Sequence, residues 1–279
     1  TIKLTILQVH EQAFSYASFQ ILSSLTNAIL TVLFISYFNY GWEGRILAQL
    51  IALALFGGIA MVVMLRKKRI NFSLYINHIK DALCFRLPLI PHTLGTLVIT
   101  FTDRILIQNM IGVEDTGDYS VAFQIGSLFS LLCTSINTAY VPYLYRILGD
   151  LSECKKLNIV KGTYIYFLIL ALLAIVLIVL SPRLVHLIAG DAYAVSSDYI
   201  KWLVMGFLLN GFYLAVVNFL FYARKTAVLS KITLVAAMIN LPVCYFFIKQ
   251  FGTIGADFSM PLICLFTFCA TWYFSSKLF

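Results

Sequence analysis

The chain alternates between long apolar runs and short polar interruptions, and the runs share a characteristic length. Apolar stretches lie over about 15–38, 44–65, 87–110, 118–148, 162–180, 200–222, 229–249 and 253–276. Each is close to the ~20 residues a helix needs to cross about 30 Å of hydrocarbon. A segment in hydrocarbon has no water to satisfy its peptide groups, so such runs predict helices, which satisfy them internally. The expected fold class is therefore all-α, a polytopic membrane protein of about eight transmembrane helices. The 162–180 run is unbroken and predicts a helix facing lipid. Residues 1–12 read as the tail of an earlier helix. The interruptions carry most of the charge, including R-K-K-R at 66–69 and an acidic turn with Glu114, Asp115 and Asp118.

One run breaks the pattern. The 87–110 stretch contains His92, Asp103 and Arg104 within its apolar length. An ionisable group at the bilayer centre costs about 2.5–3.5 kcal/mol or more, so such groups face protein or water. His92, Thr96, Thr100 and Asp103 are spaced 4, 4 and 3 apart. At 3.6 residues per turn they share one face, and the remaining positions are mainly Leu, Ile, Val and Phe. This predicts a helix lining a polar cavity. Asp103 and Arg104 are neighbours in sequence, point about 100° apart and need not pair. His92 admits two readings, a proton-coupling group or a hydrogen-bonded packing residue.

Weaker polar stripes recur: Tyr16, Gln20, Ser23, Asn27 and Thr31 on the first run; Ser127, Ser130, Thr134 and Asn137 on the fourth; Asn210 and Tyr213 on the sixth. Ser, Thr and Asn commonly join membrane helices, and on the fourth and sixth runs that is the expected role. Pro142, Pro242 and Pro261 fall inside spans, and static kinks are expected there in preference to hinges.

Composition sharpens this picture. The 279 residues are 61% hydrophobic and only 11% charged, with mean hydropathy +0.91, against about 25% charged in soluble domains. The net charge of +8 would suggest nucleic acid in a soluble protein; here it reports topology, and no nucleic-acid partner is expected. With the 66–86 linker in the cytoplasm, fifteen of the 20 Lys and Arg lie on that side and four on the other, with Arg104 left in the membrane. The positive-inside rule favours that orientation. Cys84, Cys133, Cys154, Cys244, Cys264 and Cys269 show no paired spacing and read as packing residues. No glycine-rich phosphate loop, metal-ligand spacing or large outer loop with paired carboxylates is present. These patterns argue against an enzyme, and no cofactor is implied.

The chain also contains a weak self-similarity. N-x10-F followed by G-W-E-G recurs as N-x10-F followed by G-T-I-G, pairing Asn27 with Asn240 at an offset of 213 and Gly41 with Gly252 at 211. Both copies have the same expected orientation, so this would be a parallel repeat of six-helix lobes. Residues 87–279 then form one complete six-helix lobe. Residues 1–86 form the last two helices of a preceding lobe plus a cytoplasmic linker. On this reading ~125 residues, four helices, precede Thr1, and the chain is expected to be a fragment or truncated product.

L-P-L-I-P-H at 87–92, D-R-x-x-I from Asp103 and G-x-x-x-x-G-x-Y-S-V-A-F-Q-I-G ending at Gly126, with Y-G-W-E-G-R-I-L-A-Q at 40–49, resemble bacterial polysaccharide exporters. These are the flippases for lipid-linked O-antigen and related repeat units, in the multidrug/oligosaccharidyl-lipid/polysaccharide exporter superfamily. The resemblance implies twelve helices in two lobes and a multi-pass protein of the bacterial cytoplasmic (inner) membrane. It implies that a lipid-linked oligosaccharide pyrophosphate is flipped across the bilayer by alternating access, and that polysaccharide assembly proteins are potential partners. Arginine suits a pyrophosphate because it grips two oxygens at once, so Arg104 and, at the cytoplasmic mouth, Arg86 are candidate cargo contacts. Asp103, His92, Thr96, Thr100 and Asn27 are the other cavity candidates. Two alternatives stay open. One is a cation-coupled multidrug exporter of the same superfamily, which Asp103 would serve. The other is a membrane-embedded polysaccharide polymerase or acyltransferase.

Overall fold

A computed structural model describes residues 13–66, 76–149, 153–190, 193 and 196–278. Among these residues the structure is helical, and eight helices are long and apolar enough to cross a membrane. The chain divides into two compact units, Thr1–Tyr75 and Ile76–Phe279.

In the first unit, α1 (Ala13–Val32) runs into a π-helical turn (Leu33–Tyr37) and returns as α2 (Gly41–Arg66). Asn39 and Gly41 turn the chain with φ of 55° and 56°. Gly44 then packs against Phe34, with room so limited that an added Cβ would lie 3.0 Å from the Phe34 Cβ. Ala48, Ala52, Phe56 and Ala60 continue the buried stripe of α2 at four-residue spacing, which lets the α1 backbone approach closely.

The second unit holds α3 (Ile76–Arg86), α4 (Leu89–Met110), α5 (Val113–Leu148), α6 (Glu153–Ile188), α7 (Ser196–Tyr222), α8 (Thr226–Phe251) and α9 (Thr253–Ser276). α3 lies within the stretch expected to be a linker; residues 67–75 of that stretch lie outside the described residues. The centre of the unit is α7, which packs against α5, α6 and α9, while α8 packs against α4 and α9. Ile200, Leu203 and Val204 of α7 are fully buried, with Ile125 and Phe129 of α5 against them. Where α5, α6 and α7 meet, Gly211 leaves a gap into which a methyl group would come within 2.8 Å of Cys133 Sγ and Leu170 Cδ1. Leu168, Leu172, Val176 and Val179 of α6 stay exposed, as a lipid-facing helix requires.

The expected end of α6 at residue 180 needs correction. The helix continues to Ile188 through Pro182. Proline at 182 cannot donate to the Ile178 carbonyl four residues back. The Ser181 hydroxyl donates to that carbonyl instead, at 2.8 Å, so the apolar helix passes the proline without an orphaned acceptor.

One residue, Gly252, joins α8 to α9. Its φ of 66° and ψ of −146° lie near a region that is nearly exclusive to glycine. Gly255 then faces the end of α8 so closely that a Cβ would lie 2.1 Å from the Phe247 carbonyl oxygen. The two G-x-x-G hairpins therefore share a local design. The first glycine turns left-handed; the fourth residue, also glycine, packs on a phenylalanine of the helix before.

Candidate functional site

Helix α4 is fixed to α8 by three contacts with one register. His92 Nδ1 lies 2.6 Å from Thr233 Oγ1. Asn240 Nδ2 donates to the Ile99 carbonyl at 3.5 Å, and Cys244 Sγ donates to Asp103 Oδ1 at 3.2 Å. Each pair is separated by 141 residues, so the two helices run parallel and in step. Gly95 lies in the same seam, where an added Cβ would meet Thr233 at 3.0 Å. The Thr233 hydroxyl donates to the Leu229 carbonyl at 3.1 Å. Its remaining role toward His92 is acceptor, which assigns the imidazole proton to Nδ1. This interhelical hydrogen bond is the contact that the packing reading of His92 expects.

The other polar positions of α4 open onto a cavity of about 130 Å³ between α4, α5, α7, α8 and α9. Thr96, Thr100 and Asp103 line it, facing Asn210 and Tyr213 of α7, Thr233 of α8 and Thr267 of α9. Thr96 and Thr100 donate their hydroxyl hydrogens to the carbonyls of His92 and Thr96, at 3.0 and 2.8 Å. Their oxygens remain available as acceptors. Phe123 and Phe207 form an apolar patch of the same wall, with rings 5.3 Å apart and nearly perpendicular.

At the deep end of this seam is a buried polar cluster. Asp103 is 4% exposed, and besides Cys244 it accepts the Tyr119 hydroxyl at 2.8 Å. Asp257 of α9 is fully buried, and neither of its carboxyl oxygens has a hydrogen-bond partner among the described residues. Two buried carboxyl groups with so few donors are costly in an apolar interior. Cys244 and Asn240 in α8 carried no periodic signal, because each is an isolated polar group in an apolar run, and Tyr119 follows the acidic turn outside the polar stripe of α5.

Arg104 occupies a different position from the stripe. Its guanidinium sits 4.3 Å from the centre of the Phe123 ring, the ring that walls the cavity. A cation over an aromatic face gains about 0.5–2 kcal/mol depending on desolvation. Four candidates are not among the lining residues: His92 in the seam with α8, Arg104 over Phe123, Arg86, exposed at the end of α3, and Asn27, which belongs to α1 in the first unit. The Asn27 Oδ1 is buried without a partner among the described residues.

The stripes on α5 and α7 differ from each other. On α5, Asn137 accepts from Asn218 Nδ2 at 2.7 Å, the interhelical role expected of it. Ser127 and Thr134 return their hydroxyls to their own helix. On α7, Asn210 and Tyr213 line the cavity, where helix-joining was expected. The facing wall of α4 is more than a hundred residues earlier in sequence, so that partner face was invisible in local spacing.

Comparisons with known proteins agree with this architecture. Residues 3–148 match the family model described as "Polysaccharide biosynthesis protein", and residues 88–246 match the MatE family model. A Haemophilus influenzae protein described as an "Uncharacterized membrane protein" is 29% identical over 246 residues, 86% of this chain and 60% of that protein. A Shigella flexneri protein described as "Putative O-antigen transporter" is 23% identical over 166 residues, 59% of this chain and 39% of that protein. The solved structure of a multidrug resistance MATE family transporter of the MOP superfamily, in its outward-facing conformation, superposes with a TM-score of 0.76 at 17% identity, over 99% of this chain and 65% of that one. That likeness shows a shared fold. The chain spans less than two thirds of the length of each of these three proteins.

Proposed function

The chain belongs to the polysaccharide biosynthesis protein family and to the MatE family, a membrane transporter of the MOP superfamily, and from that premise we propose that it moves a lipid-linked oligosaccharide across the bacterial cytoplasmic membrane by alternating access. The supporting observation is the cavity wall itself. Threonine oxygens, Asn210 and Tyr213 beside the Phe123–Phe207 patch combine hydrogen-bonding groups with aromatic faces, the two things a sugar ring presents partners for. A polar headgroup crossing about 30 Å of hydrocarbon needs such a path, while its lipid tail stays in the bilayer. Arg104, held at the wall by Phe123, is the cargo's phosphate contact in this reading, because a guanidinium binds two phosphate oxygens at once. Polysaccharide assembly proteins are its expected partners, and transport without covalent chemistry its expected activity.

Transport by the full-length protein tests this. Arg104→Lys keeps the charge and loses the two-pronged grip. In a flippase-deleted strain it should insert and accumulate as the unaltered protein does, with surface polysaccharide reduced at least tenfold; Arg104→Ala should do the same or worse. Equal polysaccharide at equal protein level would remove Arg104 from the cargo path. Loss of the protein in both variants would instead give Arg104 a structural role.

A second reading has its own observation. The buried pair Asp103 and Asp257, with both Asp257 oxygens unpartnered among the described residues, fits a cation-coupled exporter of the same superfamily. Efflux of cationic dyes from cells expressing the full-length protein, abolished by Asp257→Asn, would favour it over the oligosaccharide.

A further inference from the structure

A second cavity lies toward the C-terminal ends of α5, α7 and α9, and the function proposed above does not use it. Its volume is about 270 Å³. It is walled by Leu148 of α5, Ile159 and Val160 of α6, Val216 and Phe219 of α7 and Trp272 of α9. It shares no residue with the polar cavity. Leu148 is the last residue of α5 and Ser276 the last of α9, so the opening sits at the level where helices leave the hydrocarbon.

The wall is apolar in function as well as composition. Thr163, Ser275 and Ser276 are its hydroxyl residues besides Tyr164. Thr163 donates to the Ile159 carbonyl at 2.9 Å, Ser275 to Val216 at 3.4 Å and Ser276 to Tyr273 at 3.0 Å. Their hydrogens are spent on helix carbonyls, which leaves acceptor oxygens only in these three hydroxyls of an otherwise mainly apolar wall. Trp272 closes one side in an aromatic group with Tyr164, Phe167 and Phe268, at ring separations of 6.4, 5.8 and 5.4 Å. Tyr and Trp at this depth are typical of the membrane–water boundary.

Exposed lysines flank the wall in sequence. Exposed Lys161 falls between wall residues Val160 and Thr163, and exposed Lys277 follows wall residue Ser276. The Lys277 ammonium rests 4.3 Å from the Tyr273 ring centre, next to the mouth. Lys155 and Lys156 precede this stretch in sequence. An apolar slot beneath lysines at a helix end has the two-part chemistry of a phospholipid, with an acyl chain inside and a phosphate at the rim. A water-sized group takes about 30 Å³, so the slot accepts a segment on the order of nine methylenes, part of one chain.

We propose that this cavity is a binding site for an anionic phospholipid of the cytoplasmic leaflet, with an acyl chain against Trp272 and its headgroup between Lys161 and Lys277. This cavity shares no wall residue with the polar cavity assigned to the cargo.

Trp272 reports on the site directly. The full-length protein, with every other tryptophan replaced by phenylalanine, is placed in phosphatidylcholine nanodiscs. Phosphatidylglycerol brominated on its acyl chain is then titrated in, and brominated phosphatidylcholine in parallel. Bromine quenches indole fluorescence on contact. Quenching by phosphatidylglycerol should saturate at a mole fraction at least threefold below that needed by phosphatidylcholine. Lys161→Gln with Lys277→Gln should bring the two curves together, and Val160→Phe should lower the saturating quench by filling the slot. Superimposed curves in the unaltered protein mean bulk lipid contact only and overturn the proposal. A phosphatidylglycerol preference that survives loss of both lysines also overturns it.

Discussion

Gly255→Ala sets two known effects against each other at one position. Alanine is the better helix former by about 1 kcal/mol, and propensity alone would raise stability. The structure opposes it. The new Cβ would lie 2.1 Å from the Phe247 carbonyl oxygen, 2.3 Å from its carbon and 2.7 Å from the Ile248 nitrogen. All three are backbone atoms, and none can rotate away. Cβ atoms essentially never approach closer than 3.0 Å, so the α8–α9 hairpin must open by at least the difference, 0.9 Å. Overpacking costs about 1–3 kcal/mol where side chains can yield, and more where they cannot; a net loss of roughly 3 kcal/mol is expected. At about 2–4 °C per kcal/mol for a domain of this size, the midpoint falls by roughly 6–12 °C. Gly44→Ala is the built-in comparison. Its nearest atoms are the side-chain Cβ of Phe34 at 3.0 Å and of Tyr40 at 3.1 Å, so a small adjustment suffices and propensity nearly offsets it. That midpoint should stay within about 2 °C. The assay is the monodisperse peak of the full-length protein on size-exclusion chromatography after graded heating in detergent. A Gly255→Ala midpoint equal to or above the unaltered protein would refute the reasoning, as would equal losses in both variants.

Asn218→Leu should destabilise the lobe by about 1 kcal/mol, the scale of an interhelical hydrogen bond in a membrane, because Asn218 Nδ2 donates to Asn137 at 2.7 Å; heating midpoints check it, and adding Asn137→Leu should cost less than a second full increment. Ser181→Ala should leave the Ile178 carbonyl, already deprived of its partner by Pro182, without its 2.8 Å donor, costing about 1–3 kcal/mol by the same measurement; no change in midpoint would show that the hydroxyl contributes nothing. For topology, cysteines replacing Gly149 and Glu114 in a protein freed of native cysteines should differ in intact cells, with Glu114→Cys labelled by a membrane-impermeant thiol reagent and Gly149→Cys protected. Labelling in the reverse order would invert the orientation drawn from the lysine and arginine distribution.

The fold was legible because hydrocarbon imposes one requirement on every span. Each of the eight apolar runs became a helix, and the last, 253–276, has the expected bounds. The boundary errors have local causes. The 162–180 run ended where its apolar residues end, while the helix continues past Pro182 because the Ser181 hydroxyl serves the Ile178 carbonyl. The G-x-x-G repeat was readable as a spacing, and its reason emerged in three dimensions: positive φ at Gly41 and Gly252, close packing at Gly44 and Gly255. The site was legible only where one helix carried the whole signal. The α4 stripe led to Thr96, Thr100 and Asp103 in one cavity. Tyr119, Cys244 and Asp257 belong to no polar stripe of their own helices, and only the packing of α5, α8 and α9 brings them to Asp103.

That packing also changes what the stripe means. A polar face on a membrane helix can bind a neighbour or line a cavity, and α4 divides these roles by angle. His92, Gly95, Ile99 and Asp103 form the seam with α8, three of its bonds sharing the offset of 141. Thr96 and Thr100, one position round from the seam, face the cavity. Three bonds spread over eleven residues in constant register hold two parallel helices as one body. Across the cavity, α4 meets α5 by different means: one hydrogen bond, from Tyr119 to Asp103, and the stacking of Arg104 on Phe123. A ring and a guanidinium can slide past one another at less cost than a buried hydrogen bond can break, since the cation–π contact is worth about 0.5–2 kcal/mol and an unmet buried polar group costs about 1–3.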